Sequence, residues 1–157
     1  MQTEEWGPPL WDSLHTITFN STSVISPSMK SNYISYFSTL RSMLPCKYCR
    51  HSYTVFTHYL PIEDYVATRE ELTYWLYWIH TMVNFKLRKQ NKRYWEVICH
   101  YETRRVACEE RSPTKKQASH VEQKLLPSIS AKVGNMISDL TQHGGNYEEL
   151  ALSLGYT

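Results

Sequence analysis

Apolar residues recur at helical spacing along most of this 157-residue chain, and no segment alternates between apolar and polar residues as a strand would. The clearest stripe follows a capping-box pattern at Thr68-Arg69-Glu70-Glu71. Its apolar members lie three or four positions apart, at Leu72, Trp75, Leu76, Ile79, Val83 and Leu87. This periodicity predicts an all-α protein, with the helix behind Thr68 as its longest helix and its central wall.

Proline and glycine divide the other periodic segments into further helices. The segment Asn20 to Ser26 is predicted to be a loop. The further helices are predicted from Pro8 to Phe19, from Pro27 to Leu44, from Cys46 to Pro61 and from about Tyr94 to Ala107. Together with the helix behind Thr68, they predict a compact four- or five-helix bundle over residues 1–108.

Residues 109–157 are predicted to form a C-terminal helical extension. Glu109 to Lys124 is polar and contains Ser112-Pro113, which is typical of a linker. An apolar stripe from Leu126 to Leu140 then predicts a helix that ends before Gly144-Gly145, and a short helical segment from Tyr147 to Leu154 follows. The longer helix either packs on the bundle or docks on a partner, and the sequence leaves both alternatives open.

Composition excludes several functional classes. Lys and Arg number 17 against 15 Asp and Glu, so the net charge of +2 gives no electrostatic reason to expect nucleic acid or an anionic membrane as a partner. The N-terminal residues Met1 to Glu5 precede no apolar run, and the apolar stretch from Leu72 to Val83 is too short to span a bilayer. We therefore expect neither a signal peptide nor a transmembrane helix.

The segment Pro45-Cys46-Lys47-Tyr48-Cys49 is the strongest chemical signal. Two thiols three positions apart at a helix start share one face, where they can open and close a disulfide, and the helix dipole stabilises a thiolate there. The alternative is half of a zinc site, with the other ligands drawn from His51, His58 and His100.

The other two cysteines, Cys99 and Cys108, do not form a second short pair. Nine positions along one helix separate them by about 13 Å, which is too far for a disulfide. We expect both to be ordinary, partly buried thiols, with a relay to substrate as the alternative.

Two polar pairs also lie one helical turn apart. Trp11 and His15 place a flat aromatic and a polar ring on one face, which suits stacking against a planar cofactor, although core packing explains the pair equally well. His80 and Asn84 lie beside the central stripe and need partners there, either in the core or on a ligand. The cations that follow form a solvated charge run or neutralise a pyrophosphate; they are Lys86, Arg88, Lys89, Lys92 and Arg93.

In order and spacing, these features resemble the Erv/ALR family of FAD-linked sulfhydryl oxidases, and they look closest to the versions from large cytoplasmic DNA viruses. The resemblance covers about Trp6 to Leu87. Its motifs are Gly7, Trp11, His15 and Thr16; then Pro45, Cys46 and Cys49 with Tyr53; then Trp75, Leu76, His80, Val83, Asn84, Lys86 and Leu87.

The resemblance implies an enzyme that oxidises protein thiols to disulfides, passes the electrons to FAD and then to dioxygen, and releases hydrogen peroxide. It implies Cys46 as the substrate-facing sulfur and Cys49 as the sulfur next to the flavin. It also implies a homodimer, in which the cofactor-binding residues are Gly7, Trp11, His15, Tyr53, His80, Asn84, Lys86 and Lys89. No metal is implied, and the competing hypothesis is a zinc-stabilised helical interaction module.

The sequence also departs from the family pattern. Tyr77 and Tyr94 stand where many members have a structural disulfide, and Thr81 stands where Asn is common. Asn20-Ser21 replaces the usual Tyr-Pro. No clear shuttle cysteines are present, which leaves room for a separate thioredoxin-like relay protein. The expected location is the host cytoplasm or the virion, with the mitochondrial intermembrane space as the alternative.

Overall fold

The structure, a computed structural model, describes residues 2–105 and 115–157, and these contain helices and no strand. This confirms the predicted all-α class. A short 3-10 helix lies at Ile62–Tyr65. The α-helices are α1 (Thr3–Phe19), α2 (Pro27–Met43), α3 (Lys47–Tyr59), α4 (Arg69–Lys86), α5 (Tyr94–Arg105), α6 (Lys115–Gln142) and α7 (Tyr147–Ser153).

Helix α4 is the central wall, as the sequence predicts. Its residues Leu72, Trp75, Leu76 and Ile79 are all fully buried. The indole of Trp75 donates a hydrogen bond of 2.8 Å to the backbone oxygen of Leu60, the residue that ends α3. This bond satisfies the one polar atom that Trp75 brings into the core and joins α4 to α3.

Helix α1 begins earlier than predicted. It starts at Thr3, so Pro8 and Pro9 lie inside the helix instead of at its first turn. Glu4 and Glu5 occupy the first turn, where negative charge complements the helix dipole. The earlier start brings Trp6 and Gly7 onto the helix that carries Trp11 and His15.

Two predictions about α6 are wrong. It has 28 residues and is longer than α4, which has 18, and residues 115–124 of the predicted linker are helical. Ala118 and Val121 are buried there, and Lys124 pairs with Glu71 of α4 at 2.9 Å. Two buried apolar side chains and an ion pair therefore hold this segment against the bundle, although its polar composition is typical of a loop. The first part of the predicted linker, residues 109–114, lies outside the described residues.

The C-terminal helices pack on the bundle, which is the first of the two alternatives for this region. Ile129 and Met136 of α6 and Leu150 and Ala151 of α7 are buried in a core that is continuous with that of α1 to α5. Leu126, a member of the predicted stripe, is 39% exposed instead. No described helix is both long and apolar enough to cross a membrane.

Tyr77 and Tyr94, where the resemblance leads us to expect a disulfide in related proteins, are in contact. Their ring centroids lie 5.2 Å apart, which joins α4 to the start of α5. The Tyr94 hydroxyl also shares a 3.1 Å hydrogen bond with Thr73, and the Tyr77 hydroxyl donates to the backbone oxygen of Lys92 at 3.0 Å. Aromatic packing and hydrogen bonds thus join the two elements at this point.

Candidate active site

A cleft of about 620 Å³ opens between α1, the first turn of α3, the second half of α4 and the end of α5. This volume lies in the usual range for small-molecule sites, about 300–1,000 Å³. Of the ten residues predicted for the site, nine line this cleft: Cys46, Cys49, Gly7, Trp11, Tyr53, His80, Asn84, Lys86 and Lys89. The tenth, His15, lines an adjoining cavity of about 240 Å³, which shares His80 and Asn84 with the cleft.

Cys46 caps the helix on which Cys49 lies. The Cys46 backbone is extended, and its sulfur accepts a hydrogen bond of 3.3 Å from the backbone N–H of Cys49. Both cysteines are free thiols and partly buried, but Cys49 packs against the hydrophobic core. The positive end of the helix dipole stabilises a thiolate most strongly when its sulfur lies at the cap position.

The two thiols differ in acidity. Burial alone would raise the pKa of Cys46, but hydrogen bonds from the Cys49 thiol and backbone and the charge of Lys86 outweigh it and lower that pKa. Burial and the adjacent Cys46 thiol instead raise the pKa of Cys49. Cys46 is therefore the sulfur that ionises first when the pair is reduced.

Lys86 lies next to these thiols. Its ammonium donates to the backbone oxygen of Tyr48 and to the hydroxyl of Ser52, both at 3.0 Å. Burial lowers the pKa of Lys86, while the nearby thiols Cys49 and Cys46 act in the opposite direction. The sequence suggested a charge partner for phosphate here, but in the described structure this cation contacts the first turns of the CxxC helix.

His80 connects two other predicted residues. Its ring stacks flat on the indole of Trp11, with centroids 4.0 Å apart and planes 1° from parallel. Its Nδ1 shares a 3.0 Å hydrogen bond with Nε2 of His15, so one imidazole donates and the other accepts. The remaining nitrogen of His15, Nδ1, is buried and has no hydrogen-bond partner in the structure.

Both histidines are neutral at pH 7. Burial, followed by the neighbouring His80, lowers the pKa of His15 to about 3. Burial together with Lys89 and Lys92 lowers the pKa of His80 to about 4. A neutral imidazole pair keeps both donor and acceptor capacity, which suits recognition of a polar planar ligand.

Three other predicted residues occupy different parts of the cleft. Gly7 is buried in α1, and a Cβ added there would contact only Thr3, at 3.8 Å, among neighbouring side chains. Tyr53 is 3% exposed, and its hydroxyl donates to the backbone oxygen of Phe37 at 2.9 Å, so only its ring is free to face a ligand. Lys89 is exposed at the rim.

Helix α5 contributes residues that the motifs did not assign. Tyr101 and His100 line both cavities, and the Tyr101 ring stacks on His15 at a centroid distance of 5.0 Å. The Tyr101 hydroxyl donates to Asp12, which also pairs with Arg104 at 2.8 Å. The motifs that carry the resemblance end at Leu87, so they assign no cofactor role to His100 or Tyr101.

The described residues form no zinc site of the kind that the alternative hypothesis requires. Within residues 2–105 and 115–157, no group of three or more His, Cys, Asp or Glu side chains is arranged to hold a metal ion. Cys99 is a partly buried free thiol, which agrees with its expected state, and Cys108 lies outside the described residues.

Sequence comparison decides the family. The model of the Erv1/Alr family matches residues 8–101, which contain the cysteine pair and both polar pairs. The chain belongs to the Erv1/Alr family. The match ends before α6 and α7, so these two helices lie outside the part of the chain that matches the family.

Individual relatives agree with this assignment. A probable FAD-linked sulfhydryl oxidase of Acanthamoeba polyphaga mimivirus is 31% identical over 99 residues, which cover 62% of this Erv1/Alr chain and 69% of that protein. The crystal structure of the yeast Erv1 core superposes with a TM-score of 0.61 at 22% identity, over 65% of this chain and 85% of that one. A cysteine-to-serine double mutant of Erv1 from Saccharomyces cerevisiae gives the same TM-score at 20% identity. The two solved structures show that the fold is shared.

Proposed function

We propose that the chain is an FAD-linked thiol oxidase that forms disulfides in protein substrates and passes the electrons to dioxygen. The observation that supports this best is the position of Cys46 and Cys49 in the wall of a cleft whose other walls carry Trp11, His80 and Asn84. Family membership and the similarity to the mimivirus sulfhydryl oxidase support the same activity.

The residues of the cleft fit a flavin dinucleotide. Nδ1 of His15 and Nε1 of Trp6 are buried polar atoms without hydrogen-bond partners in the described structure, and a polar cofactor bound here would supply the partners that buried groups require. Flat aromatic faces suit stacking of a planar ring, and the exposed Lys89 and Lys92 at the rim suit a pyrophosphate. We assign cofactor binding to eight residues: Gly7, Trp11, His15, Tyr53, His80, Asn84, Lys86 and Lys89. Lys86 also lies next to the thiols and stabilises their ionised forms.

Cys46 receives the substrate in this proposal. A substrate thiolate attacks the Cys46 sulfur of the Cys46–Cys49 disulfide, a substrate–Cys46 disulfide forms, and Cys49 leaves with the bonding electron pair. Lys86 and Arg50 each favour ionised Cys49 electrostatically, which assists this departure. The second substrate thiolate then attacks the substrate sulfur and expels Cys46, whose lowered pKa makes it the better leaving group.

The products of this exchange are an oxidised substrate and a reduced Cys46–Cys49 pair. Bound FAD supplies the two-electron acceptor that returns the pair to its disulfide and that dioxygen reoxidises, giving hydrogen peroxide. Cys49 packs toward the core side of the cleft and Cys46 does not, which supports Cys49 as the sulfur on the cofactor side.

Peroxide formation tests the activity. Purified protein given dithiothreitol in air should consume oxygen and release hydrogen peroxide, and Cys49→Ser should stop both. Cys99→Ser is the matched control because Cys99 does not line the cleft, and it should retain full turnover. Zinc in stoichiometric amounts without peroxide formation would support the interaction module instead.

A second copy of the chain is the partner we propose for α2. Met29, Tyr36 and Met43 are 41%, 40% and 72% exposed, and they lie seven positions apart along this helix. That spacing places them on one side of α2, as a helix–helix interface requires. Light scattering should give the mass of a dimer, and Tyr36→Glu should give a monomer; a monomeric wild-type protein would refute the homodimer.

The mimivirus relative supports a proposal about substrate and location. We propose that the chain acts for a large DNA virus, in the host cytoplasm or in virions, on a protein thiol substrate or a thioredoxin-like relay protein. In Cys49→Ser protein whose Cys46 carries a thionitrobenzoate disulfide, a substrate thiolate should displace thionitrobenzoate and remain bound to Cys46, and prompt alkylation of the remaining thiols should preserve this mixed disulfide. Localisation to the mitochondrial intermembrane space would contradict the cytoplasmic proposal.

A further inference from the structure

Helix α7, which lies outside the family match, packs on the first turns of the CxxC helix. Tyr147 places its ring 5.1 Å from the ammonium of Lys86 and meets the buried ring of Phe56 edge-on at 5.5 Å. Its neighbour Glu148 pairs at 2.9 Å with Lys47, the residue that directly follows Cys46. The added C-terminal segment therefore contacts two cations beside the reactive pair.

Local structure holds these two residues in place. Gly144 and Gly145 have φ values of 63° and 79°, which permit the tight reversal between α6 and α7. The side chain of Asn146 accepts from the backbone N–H groups of Glu148 and Glu149 and so caps α7. Leu150 and Ala151 of the same helix are buried, which anchors it on the bundle.

The Tyr147 ring adds to two hydrogen bonds that already restrain the Lys86 ammonium, which an ordinary solvated lysine lacks. A lysine ammonium sits on a flexible four-carbon stem and loses considerable rotamer entropy when it is fixed. The Tyr48 carbonyl and Ser52 hydroxyl hold it with two hydrogen bonds, and the face of Tyr147 adds an electrostatic attraction. Without that face, Lys86 would spend less time beside the thiols.

We propose that Tyr147 is a positioning residue, which holds Lys86 beside Cys46 and Cys49 and thereby stabilises the reactive thiolate, while Glu148 anchors α7 through Lys47. The inference deepens the proposed oxidase function, but it concerns the thiols themselves. The charged and titratable groups around them are Lys86 from α4, Lys47, Arg50 and His51 from α3, and Glu148 from α7.

Alkylation of the reduced protein by iodoacetamide tests this inference. The full chain is alkylated across a pH range and digested with trypsin, which cuts after Lys47 and so separates Cys46 from Cys49 into different peptides. Tyr147→Leu should slow Cys46 alkylation at pH 7 by about two- to fivefold. The midpoint of its pH profile should rise by about half a unit, because less positive charge then favours the thiolate.

Two controls separate positioning from general packing. Tyr156→Leu removes another C-terminal ring, one that lies 5.5 Å from Arg41 and away from Lys86, and it should leave the profile unchanged. Tyr147→Phe keeps the aromatic face and should behave like the wild type. If Tyr147→Leu does not fold, Tyr147→Met places a longer, flexible apolar side chain in the same space without an aromatic face and should give the same shift.

Lys86→Met alone should slow the alkylation of Cys46 at least as much as Tyr147→Leu does. Adding Tyr147→Leu to Lys86→Met should change the alkylation rate little. An unchanged Cys46 profile in Lys86→Met, or an equal effect of Tyr147→Leu with and without Lys86, would overturn the inference. The measurement needs neither flavin nor oxygen. Its failure is therefore distinguishable from failure of the proposed oxidase activity, which the peroxide assay reports.

Discussion

The unequal chemistry of two neighbouring sulfurs is the main feature at the scale of residues. Cys46 accepts the Cys49 N–H in the cap position and has a lowered pKa, whereas burial raises the pKa of Cys49. A one-unit difference in pKa corresponds to about tenfold in thiolate population at a fixed pH below both values. Reactivity toward a disulfide reagent should therefore separate the two.

We predict that Cys46 in the Cys49→Ser variant reacts with dithiobisnitrobenzoate about ten times faster at pH 7 than Cys49 does in the Cys46→Ser variant. Release of the coloured thiolate, with both Cys99 and Cys108 replaced by serine in each protein, gives the two rates. Equal rates, or faster reaction of Cys49, would reverse the assignment of the substrate-facing sulfur.

The buried histidine pair predicts a loss of stability in mild acid. Because His15 and His80 have pKa values lowered to about 3 and 4, the unfolded chain binds protons below pH 6.5 that the folded chain does not. Above pH 6.5 the two histidines should therefore cost the folded state no stability. The free energy of unfolding should fall by up to about 1.4 kcal/mol per pH unit for each histidine as the pH drops toward 4.

Urea denaturation at pH 7.0, 5.5 and 4.5 measures this dependence. His80→Gln removes one of the two titrating groups, so its stability should fall less steeply over the same range even if it starts lower. Parallel curves for the wild type and His80→Gln would show that His80 does not titrate differently in the folded state.

At the scale of elements, a tyrosine pair, Tyr77 and Tyr94, links α4 to α5. Tyr94 is 2% exposed, and it meets Tyr77, Tyr74 and Thr73 of α4. Aromatic packing, unlike a disulfide, does not depend on the redox state of the surroundings. The bundle therefore has a connection here that reduction does not remove.

We predict that Tyr94→Ala lowers the free energy of unfolding by about 3–5 kcal/mol, since it empties a buried aromatic site. Tyr94→Phe is the matched control. It removes only the hydrogen bond to Thr73 and should lower the free energy by about 1 kcal/mol. Chemical denaturation with and without reductant should give the same difference from the wild type for each variant, and a difference that changes with reductant would contradict this account of the link.

The sequence predicts those elements whose signals are local. Thr68 and Ser26 accept the hydrogen bonds expected of helix caps, and the α4 stripe is buried from Leu72 to Ile79 as its spacing indicates. Its last predicted member, Leu87, is 43% exposed instead. The start of α6 was missed because only Ala118 and Val121 are buried on an otherwise polar surface. The contacts of Lys86 with α3 and α7 were also missed, since they depend on how three helices meet and not on any motif.

For the whole molecule, the question is whether residues 1–108 fold stably without the C-terminal extension. Residues 1–108 as a separate catalytic bundle remain a proposal, and the burial of Ile129, Met136 and Leu150 argues that the extension stabilises it. We predict that a chain ending at residue 108 loses at least about 3 kcal/mol of unfolding free energy, because apolar surface on α3 and α4 becomes exposed. Melting followed by circular dichroism should show this, whereas an unchanged melting temperature would support an autonomous bundle.

The central claim is that the cleft holds FAD within electron-transfer reach of the Cys46–Cys49 pair. The most direct test is anaerobic addition of dithiothreitol to the purified full-length protein, followed by its absorbance spectrum. The account predicts a yellow protein with about one flavin per chain, whose visible absorbance bleaches in the wild type and persists in Cys49→Ser. A folded but colourless protein, or equal bleaching in Cys49→Ser, would contradict it.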